Sequence, residues 1–362
     1  MTLSRSRRRR LVLYGVLIVC TELAALFYVR LAAGSPVPHP PLYSHGAFAG
    51  FVLGVLVWGF ELYFLRSRWG APIRRAHFLV AMVVKVVILS GVVFVTVLVE
   101  QQVLHGGVGE FLALDQPFLR LYRLFGYVLF VVVVFSAVVS VVRIIGARVL
   151  GNFILGRYHR PVSEGRIFMF LDLVGSTALT ERLGDIGVQT MITRFFFDIT
   201  EPILEWGGEI HRYVGDQVVV TWPLRDGAPN AQSVQCYFAI LDRVRERAAA
   251  YARDFGTTPE FRVGLHGGPV VVSECGDAKQ EIVYFGDTVN TAARIEQECK
   301  RLDRPFLVSG PLLERMSLPP EYAVESLGAI RLRGRGQDIE LFAIERPGAV
   351  PLTPDSASAG GS

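Results

Sequence analysis

The chain has 362 residues, a formal net charge of +4, and a composition that is 51% hydrophobic and 19% charged. That length accommodates two domains, and the apolar excess argues against a protein soluble throughout. The modest charge, drawn largely from Arg5–Arg10 and short basic loops, reads as membrane-surface charge and not as a nucleic-acid face. Cys20, Cys236, Cys275 and Cys299 have no paired or metal-type spacing and read as reduced thiols.

Nearly all the apolar excess precedes residue 146. Four segments, about Leu11–Ala33, Ser44–Leu65, Ala76–Val99 and Leu121–Ile145, each reach the ~20 residues that span a hydrocarbon core at 1.5 Å rise per residue. The first reads as a signal anchor, because its apolar run is long and more spans follow. Arg5 and Arg7–Arg10 precede span one, Arg66, Arg68, Arg74 and Arg75 separate spans two and three, and Arg143, Arg148 and Arg157 close span four. The other two loops are nearly free of basic residues, so both termini are expected in the cytoplasm. Glu22 and Lys85 lie at similar depth, about 16 and about 14 Å from the cytoplasmic ends, and depth suggests an ion pair. His39, His45, His77 and His105 fall near span ends or in loops without i, i+4 partners, and read as interfacial residues in preference to cofactor ligands.

The expected organisation is a membrane domain over 1–145, a linker or transducing segment over 146–164, a catalytic domain over 165–346 and a disordered Pro/Ser/Gly/Ala-rich tail over 347–362. In the soluble half, Arg166–Val174 reads as a strand and Ser176–Trp206 as a helix broken at Gly184 and Gly187. Glu209–Val214 and Gln217–Trp222 form a hairpin around Gly215-Asp216, and Ala228–Phe255 is helical. Glu260–His266 and Pro269–Cys275 read as a second hairpin through Gly267-Gly268. Asp287–Arg301 is a helix, and strands near Tyr322–Arg333 and Asp338–Ile344 close the domain. The order begins β-α-β-β-α-β, giving an α+β ferredoxin-like fold behind a helical membrane bundle.

In that topology strands one and three are antiparallel neighbours, which brings Asp172 and Asp216 to one end of the sheet. Two carboxylates there suit a hard divalent cation. Gly175-Ser176-Thr177 makes a tight turn opening a helix, whose free N–H groups can hold phosphate. Taken singly, Asp216 is also an ordinary hairpin turn and Ser176 an N-cap. Asn290 and Arg294, at i and i+4 on one helix, share a face suited to ribose and phosphoryl oxygens, although a helix start with a surface arginine has the same spacing.

Phe170-Leu171-Asp172-Leu173-Val174-Gly175-Ser176-Thr177, then Gly207-Gly208-Glu209-Ile210 leading into Val214-Gly215-Asp216, and Gly286-Asp287-Thr288-Val289-Asn290-Thr291-Ala292-Ala293-Arg294 resemble the signature blocks of class III adenylyl and guanylyl cyclases, in order and spacing. The resemblance covers about Arg166 to Glu345. It implies conversion of a nucleoside triphosphate to a 3′,5′-cyclic monophosphate and pyrophosphate at a homodimer interface. It also implies two divalent ions per site, Mg²⁺ or Mn²⁺, on Asp172 and Asp216. Asn290 would orient the ribose, Arg294 would stabilise the transition-state phosphate, and Arg333 is similar in place to a further phosphate-binding residue. Arg212 stands where adenylyl cyclases usually have Lys, and Val283 where they usually have Asp or Thr. Arg212 can donate to the base and Val283 cannot accept, which leaves Gln280 or Glu281 as candidate acceptors. ATP is the expected substrate, with GTP the alternative. An inactive nucleotide-binding regulator is disfavoured because both Asp residues, Asn290 and Arg294 are retained. The expected location is the cell (inner) membrane, as a multi-pass protein with its catalytic domain cytoplasmic and no nucleic-acid partner.

Overall fold

The computed structural model describes residues 5–32, 40–65, 67, 69–70, 72–73, 78–104, 117–145, 151–152, 155–277, 280–334 and 336–347. The chain forms two compact units, one over Arg7–Gly151 and one from Asn152 onward.

The first unit consists of long helices: α1 (Arg5–Ala32), α2 (Pro40–Gly59), α3 (Phe78–Leu104) and α4 (Pro117–Ile145). Two stretches, Leu11–Leu31 and Gly46–Phe64, are long and apolar enough to cross a membrane by length and composition. Glycine brings α1 and α2 together. Gly46, Gly50 and Gly54 recur every four residues, and a Cβ on each would lie 2.5 Å from the Val29 side chain, 2.7 Å from that of Ala25 and 3.2 Å from the Ile18 backbone. Small residues at this spacing let helix backbones approach closely. Hydrogen bonds reinforce the contact: Trp58 Nε1 donates to Thr21 Oγ1 at 2.8 Å and the Tyr14 hydroxyl to the Val55 carbonyl at 2.9 Å. From α4, the Tyr127 hydroxyl donates to the Ala24 carbonyl of α1 at 2.7 Å.

Beyond Gly59, α2 passes into a π-helical turn, Phe60–Phe64. Such turns carry an extra residue and redirect side chains. Here the turn holds Glu61, 1% exposed, with Lys85 Nζ of α3 at 2.9 Å from its Oε1. The partner of Lys85 is therefore Glu61 and not Glu22. Depth along a helix does not say which neighbour a residue faces, and the Glu22 backbone lies against Gly50 of α2. His39, His77, His105 and the tail beyond 347 lie outside the described residues.

The second unit is built on a mixed sheet. Its elements are β1 (Val162–Leu173), α5 (Ser176–Glu205), β2 (Glu209–Val214), β3 (Gln217–Pro223), α6 (Leu224–Gly227), α7 (Gln232–Glu246), α8 (Ala248–Phe255), β4 (Phe261–Cys275), β5 (Glu281–Phe285), α9 (Asp287–Arg301), β6 (Phe306–Ser309), α10 (Gly310–Leu313), β7 (Ala323–Ile330) and β8 (Ile339–Glu345). Strand order is β2-β3-β1-β4-β6-β8-β7, with β5 added to the far end of β4. The β2-β3-β1-β4 part has the ferredoxin-like arrangement, and β4 pairs with β6 in parallel. Alternation along β1 divides the interior. Ile167, Met169, Leu171 and Leu173 join the main core with α5 and α7 residues, while Phe168 and Phe170 join Val270, Val272 and Ala292 on the other face.

Three sequence expectations change. Gly267-Gly268 makes no turn: β4 runs unbroken, and both glycines pair with Ile167 and Arg166 of β1. Their lack of a side chain serves close packing, since a Cβ would lie 2.8 Å from Leu312 at Gly267 and 2.8 Å from Thr288 at Gly268. The hairpin partner of β4 is β5, with Cys275 opposite Glu281. In α5 only Gly184 breaks helical geometry (φ 70°, ψ 165°), and Gly187 stays helical. Strand β1 starts at Val162, ahead of the expected start at Arg166, and Tyr158 before it is buried in the cluster with Phe168 and Phe170.

Replacing Glu61 by Leu should leave Lys85 without its carboxylate and destabilise the first unit by about 3 kcal/mol. The double variant Glu61→Leu/Lys85→Leu should recover most of that loss. Melting curves of the purified full chain in detergent check both outcomes.

Candidate functional site

Asp172 stands near the end of β1, paired with Gln217 of β3 on one side and Arg262 of β4 on the other. Asp216 occupies the β2–β3 turn beside Gln217, where Gly215 supplies the positive φ of 61°. The antiparallel register thus brings together two carboxylates separated widely in sequence. Burial, and then the charge of Asp216, push the Asp172 pKa up to about 6, with Arg262 opposing them in part. Crowded carboxylates of this kind are relieved by a multivalent cation. Among the described residues no group of three or more His, Cys, Asp or Glu is placed to hold a metal ion. The protein's share would be these two hard oxygen donors, which fit Mg²⁺ or Mn²⁺ when other oxygens complete the shell.

Directly after Asp172 the chain turns into α5. Gly175 is left-handed (φ 71°, ψ 25°), and no side chain caps the helix. The Ser176 side chain is thus not the N-cap; Ser176 and Thr177 open the helix with their N–H groups aimed outward, as phosphate binding requires.

A second group lies on α9 and the β7–β8 connection. Asn290, Ala293, Arg294, Gln297, Arg333 and Gly334 line a cleft of about 360 Å³. Gly334 is left-handed (φ 70°), and a Cβ there would stand 3.4 Å from the Arg294 guanidinium. Arg333 is thereby joined to the Asn290–Arg294 pair. Asp172 and Asp216 are not among the residues lining this cleft.

The third group joins β2 and β5. The β2–β3 register shifts between Ile210 and Arg212, so His211 is the extra residue of a β-bulge. Consequently two successive residues engage β5: the His211 ring meets Tyr284 edge-on at 4.9 Å, and Arg212 Nη2 bonds Glu281 Oε2 at 3.1 Å. Val283 follows Glu281 on the same face of β5. Of the two candidate acceptors, it is Glu281 that meets Arg212. Burial and the charge of Arg212 lower the His211 pKa to about 4, leaving a neutral ring at neutral pH.

Two participants escaped the sequence reading. Glu296 of α9 is buried near the carboxylate pair, and burial followed by the charge of Asp172 raises its pKa to about 7. Its place depends on Gly264 of β4, where a Cβ would lie 2.2 Å from the Glu296 backbone nitrogen. Arg166 of β1 is buried on the face shared with Phe168 and Phe170. Burial works against its charge, but Tyr284, Glu164 and Tyr158 outweigh it and its pKa is raised. A lone arginine before an apolar run gives no signal of such a role, and Gly264 would have been legible only as a glycine inside a strand.

Fold and site together define an α+β catalytic domain with a carboxylate pair at one end of its central sheet and a basic cleft on a neighbouring helix. The chain belongs to the adenylate and guanylate cyclase catalytic domain family, whose model matches residues 162–346. Among curated proteins it is similar to adenylate cyclase 2 of Rhizobium meliloti (strain 1021), 42% identical over 188 residues, covering 52% of each chain. It is also similar to adenylate cyclase 1 of the same organism, 28% identical over 182 residues, covering 49% of this chain and 27% of that one. The chain therefore matches about half the length of the first relative and about a quarter of the second. Among solved structures, a bacterial light-regulated adenylyl cyclase superposes with a TM-score of 0.50 at 21% identity, covering 58% of this chain and 62% of that one. At that identity the likeness speaks to the fold.

Adding a methyl group at Gly264 should force α9 off the sheet. Gly264→Ala is expected to cost about 1–3 kcal/mol, the range for overpacking a close contact. Chemical denaturation, followed by the fluorescence of Trp206 and Trp222, measures it.

Proposed function

We propose that the protein is a membrane-anchored adenylate cyclase that converts ATP to 3′,5′-cyclic AMP and pyrophosphate at a site shared between two copies of the chain. The observation that carries this reading is the juxtaposition of Asp172 and Asp216 beside an uncapped helix N-terminus.

In this reading Asp172 and Asp216 would hold two divalent ions, Mg²⁺ or Mn²⁺. When bound, such ions lower the pKa of the ribose 3′-hydroxyl and neutralise triphosphate oxygens. The N–H groups at Gly175-Ser176-Thr177 donate to phosphate oxygens. Asn290 orients the ribose so that its 3′-oxygen lies in line with the α-phosphorus. The 3′-hydroxyl gives its proton to solvent water, the 3′-O–P bond forms as the bond from the α-phosphorus to the bridging oxygen breaks, and pyrophosphate leaves with that electron pair. Arg294 and Arg333 donate to the phosphoryl oxygens where charge accumulates. Arg212 and Val283 face the base. As the resemblance to class III cyclases implies, one chain supplies the metal carboxylates and its partner the ribose and phosphate contacts; the cleft with Asn290, Arg294 and Arg333, which Asp172 and Asp216 do not line, is consistent with that division. A twofold homodimer then has two equivalent sites.

Membrane attachment rests on the first unit, taken to span 1–145 as four transmembrane helices, with 146–164 as connector and 165–346 as catalytic domain. Its two long apolar stretches support this. So does an inside-out distribution, with Leu23, Phe27, Leu31, Phe48 and Val87 exposed while Glu61 and Trp58 are buried. The basic residues flanking the apolar segments support a catalytic domain on the cytoplasmic side of the cell membrane. GTP is the competing substrate, because Val283 offers the base amine no acceptor.

Purified full-length protein should form cyclic AMP from ATP with Mg²⁺ or Mn²⁺. Asp172→Ala or Asp216→Ala should abolish turnover and leave the melting midpoint nearly unchanged; wild-type rates in either variant refute the metal role.

Val283→Thr should lower the KM for ATP relative to GTP by about one hydrogen bond, on the order of 1 kcal/mol. An unchanged ratio would mean that the base is read elsewhere.

Co-expression tests the shared site. Asp172→Ala and Asn290→Ala should each be inactive alone. Mixed dimers hold one doubly defective site and one intact site, so random pairing should restore about a quarter of wild-type activity. A co-expressed pair as inactive as its parents, with heterodimers verified by pull-down, rules the arrangement out.

A further inference from the structure

A buried cation connects the segment leaving the first unit to the strands that face the base. Arg166 is 3% exposed. Its Nε donates to Glu164 Oε2 at 3.0 Å, and its Nη1 lies 3.5 Å from Glu209 Oε2 at the start of β2. Its guanidinium carbon stands 5.3 Å from the centre of the Tyr284 ring on β5. One side chain rooted in β1 thus touches both β2 and β5. The Tyr284 ring is held on two further sides, by Phe168 at 5.3 Å and by His211 at 4.9 Å, both edge-on. His211 is the extra residue of the bulge that turns Arg212 toward Glu281.

The other end of the network lies in the connector. The buried Tyr158 hydroxyl donates to Glu164 Oε1 at 2.9 Å. The Tyr158 carbonyl accepts from the Glu274 N–H at 3.0 Å, and His159 Nδ1 lies 3.0 Å from Glu274 Oε2. The connector is therefore fastened to β4 and reaches Arg166 through a single carboxylate. A leucine would fill this apolar face at less desolvation cost. What an arginine adds is reach and a planar fork that satisfies two carboxylates while stacking on an aromatic ring.

We propose that Arg166 is a positioning residue for nucleotide-base recognition, fixing β2 against β5 so that Arg212 and Val283 keep their spacing, and that Tyr158 and Glu164 tie this spacing to the connector. The inference rests on the cyclase reading for its kinetic test, though not for its structural one. A shift of the connector alters Glu164, and Glu164 alters the fork that grips Glu209 and Tyr284. Base recognition changes before the carboxylate end of β1 does, because Asp172 lies six residues away along the strand.

The test uses the full chain in detergent, with Arg166→Lys, Glu209→Gln and Tyr158→Phe. Lysine keeps the charge and loses the fork and the stacking. Arg166→Lys should raise the KM for the nucleotide at least fivefold and change the ATP/GTP ratio of kcat/KM, while kcat changes less than twofold. Glu209→Gln and Tyr158→Phe should shift KM in the same direction by smaller factors. Amide hydrogen exchange should accelerate in Glu209–Val214 and Glu281–Phe285 and not in Phe306–Ser309 or Ile339–Glu345. Should Arg166→Lys fail to fold, the Glu209→Gln variant decides on the same readouts. A folded variant with wild-type KM, base ratio and exchange overturns the proposal, as does a uniform fall in kcat with KM unchanged. If the wild-type protein makes no cyclic nucleotide, the cyclase reading fails by itself, and the exchange pattern alone still upholds or overturns the positioning role.

Discussion

The alternation of one strand sets the terms for the second unit. Residues 167, 169, 171 and 173 of β1 enter the main core, and residues 166, 168, 170 and 172 enter the other face. On that second face, Arg166 stands at one end, Asp172 at the other, and two phenylalanines between them. Because β1 is central, with β3 and β4 on either side, neither polar end can rotate out without breaking two ladders. Asp172 is therefore held in a half-buried place beside Asp216, and burial together with that neighbouring charge raises its pKa to about 6. A solvated loop would let the two carboxylates separate; the ladder does not.

Much of this was legible in the sequence, for a definite reason. Asp172, Asp216, Asn290 and Arg294 sit at turns, strand ends and the first turns of a helix, where local pattern fixes position. The convergence of Asp172 and Asp216 follows from the order of elements alone. What was not legible depends on approach between elements distant in sequence. Gly267 and Gly268 look like a turn because glycine pairs usually make turns, yet here they admit Leu312 and Thr288 to the surface of a continuous strand. The bulge at His211 has no glycine to mark it. Glu296 and Arg166 are charged residues in stretches where charge ordinarily faces water, and their burial depends on Gly264 in one case and Tyr284 in the other.

The first unit shows the same division. Its helices follow from uninterrupted apolar runs. The contact of α1 with α2 follows from Gly46, Gly50 and Gly54, a spacing visible in the sequence once it is sought. The ion pair did not follow, since matched depth favoured Glu22 while the π-turn presents Glu61 to Lys85. An inserted residue in a helix redirects the side chains after it, and apolar periodicity does not register it.

These placements bear on how a connector can influence chemistry that it does not touch. Tyr158 is packed in the cluster that contains Phe168 and Phe170, and it shares Glu164 with Arg166. Close-packed interiors transmit displacement because they have few voids to absorb it. The flanking contacts differ in kind, however. Arg166 meets β2 and β5 through one ion pair and one ring face, both tolerant of movements of a few tenths of an ångström. The backbones of Arg166 and Asp172 are alike paired on both sides, to β3 and β4. In the proposed reading, a displacement entering at Tyr158 reaches the Arg166 side chain first, through Glu164. In that reading base recognition and metal binding fall at opposite ends of one strand, with a ladder paired on both sides between them.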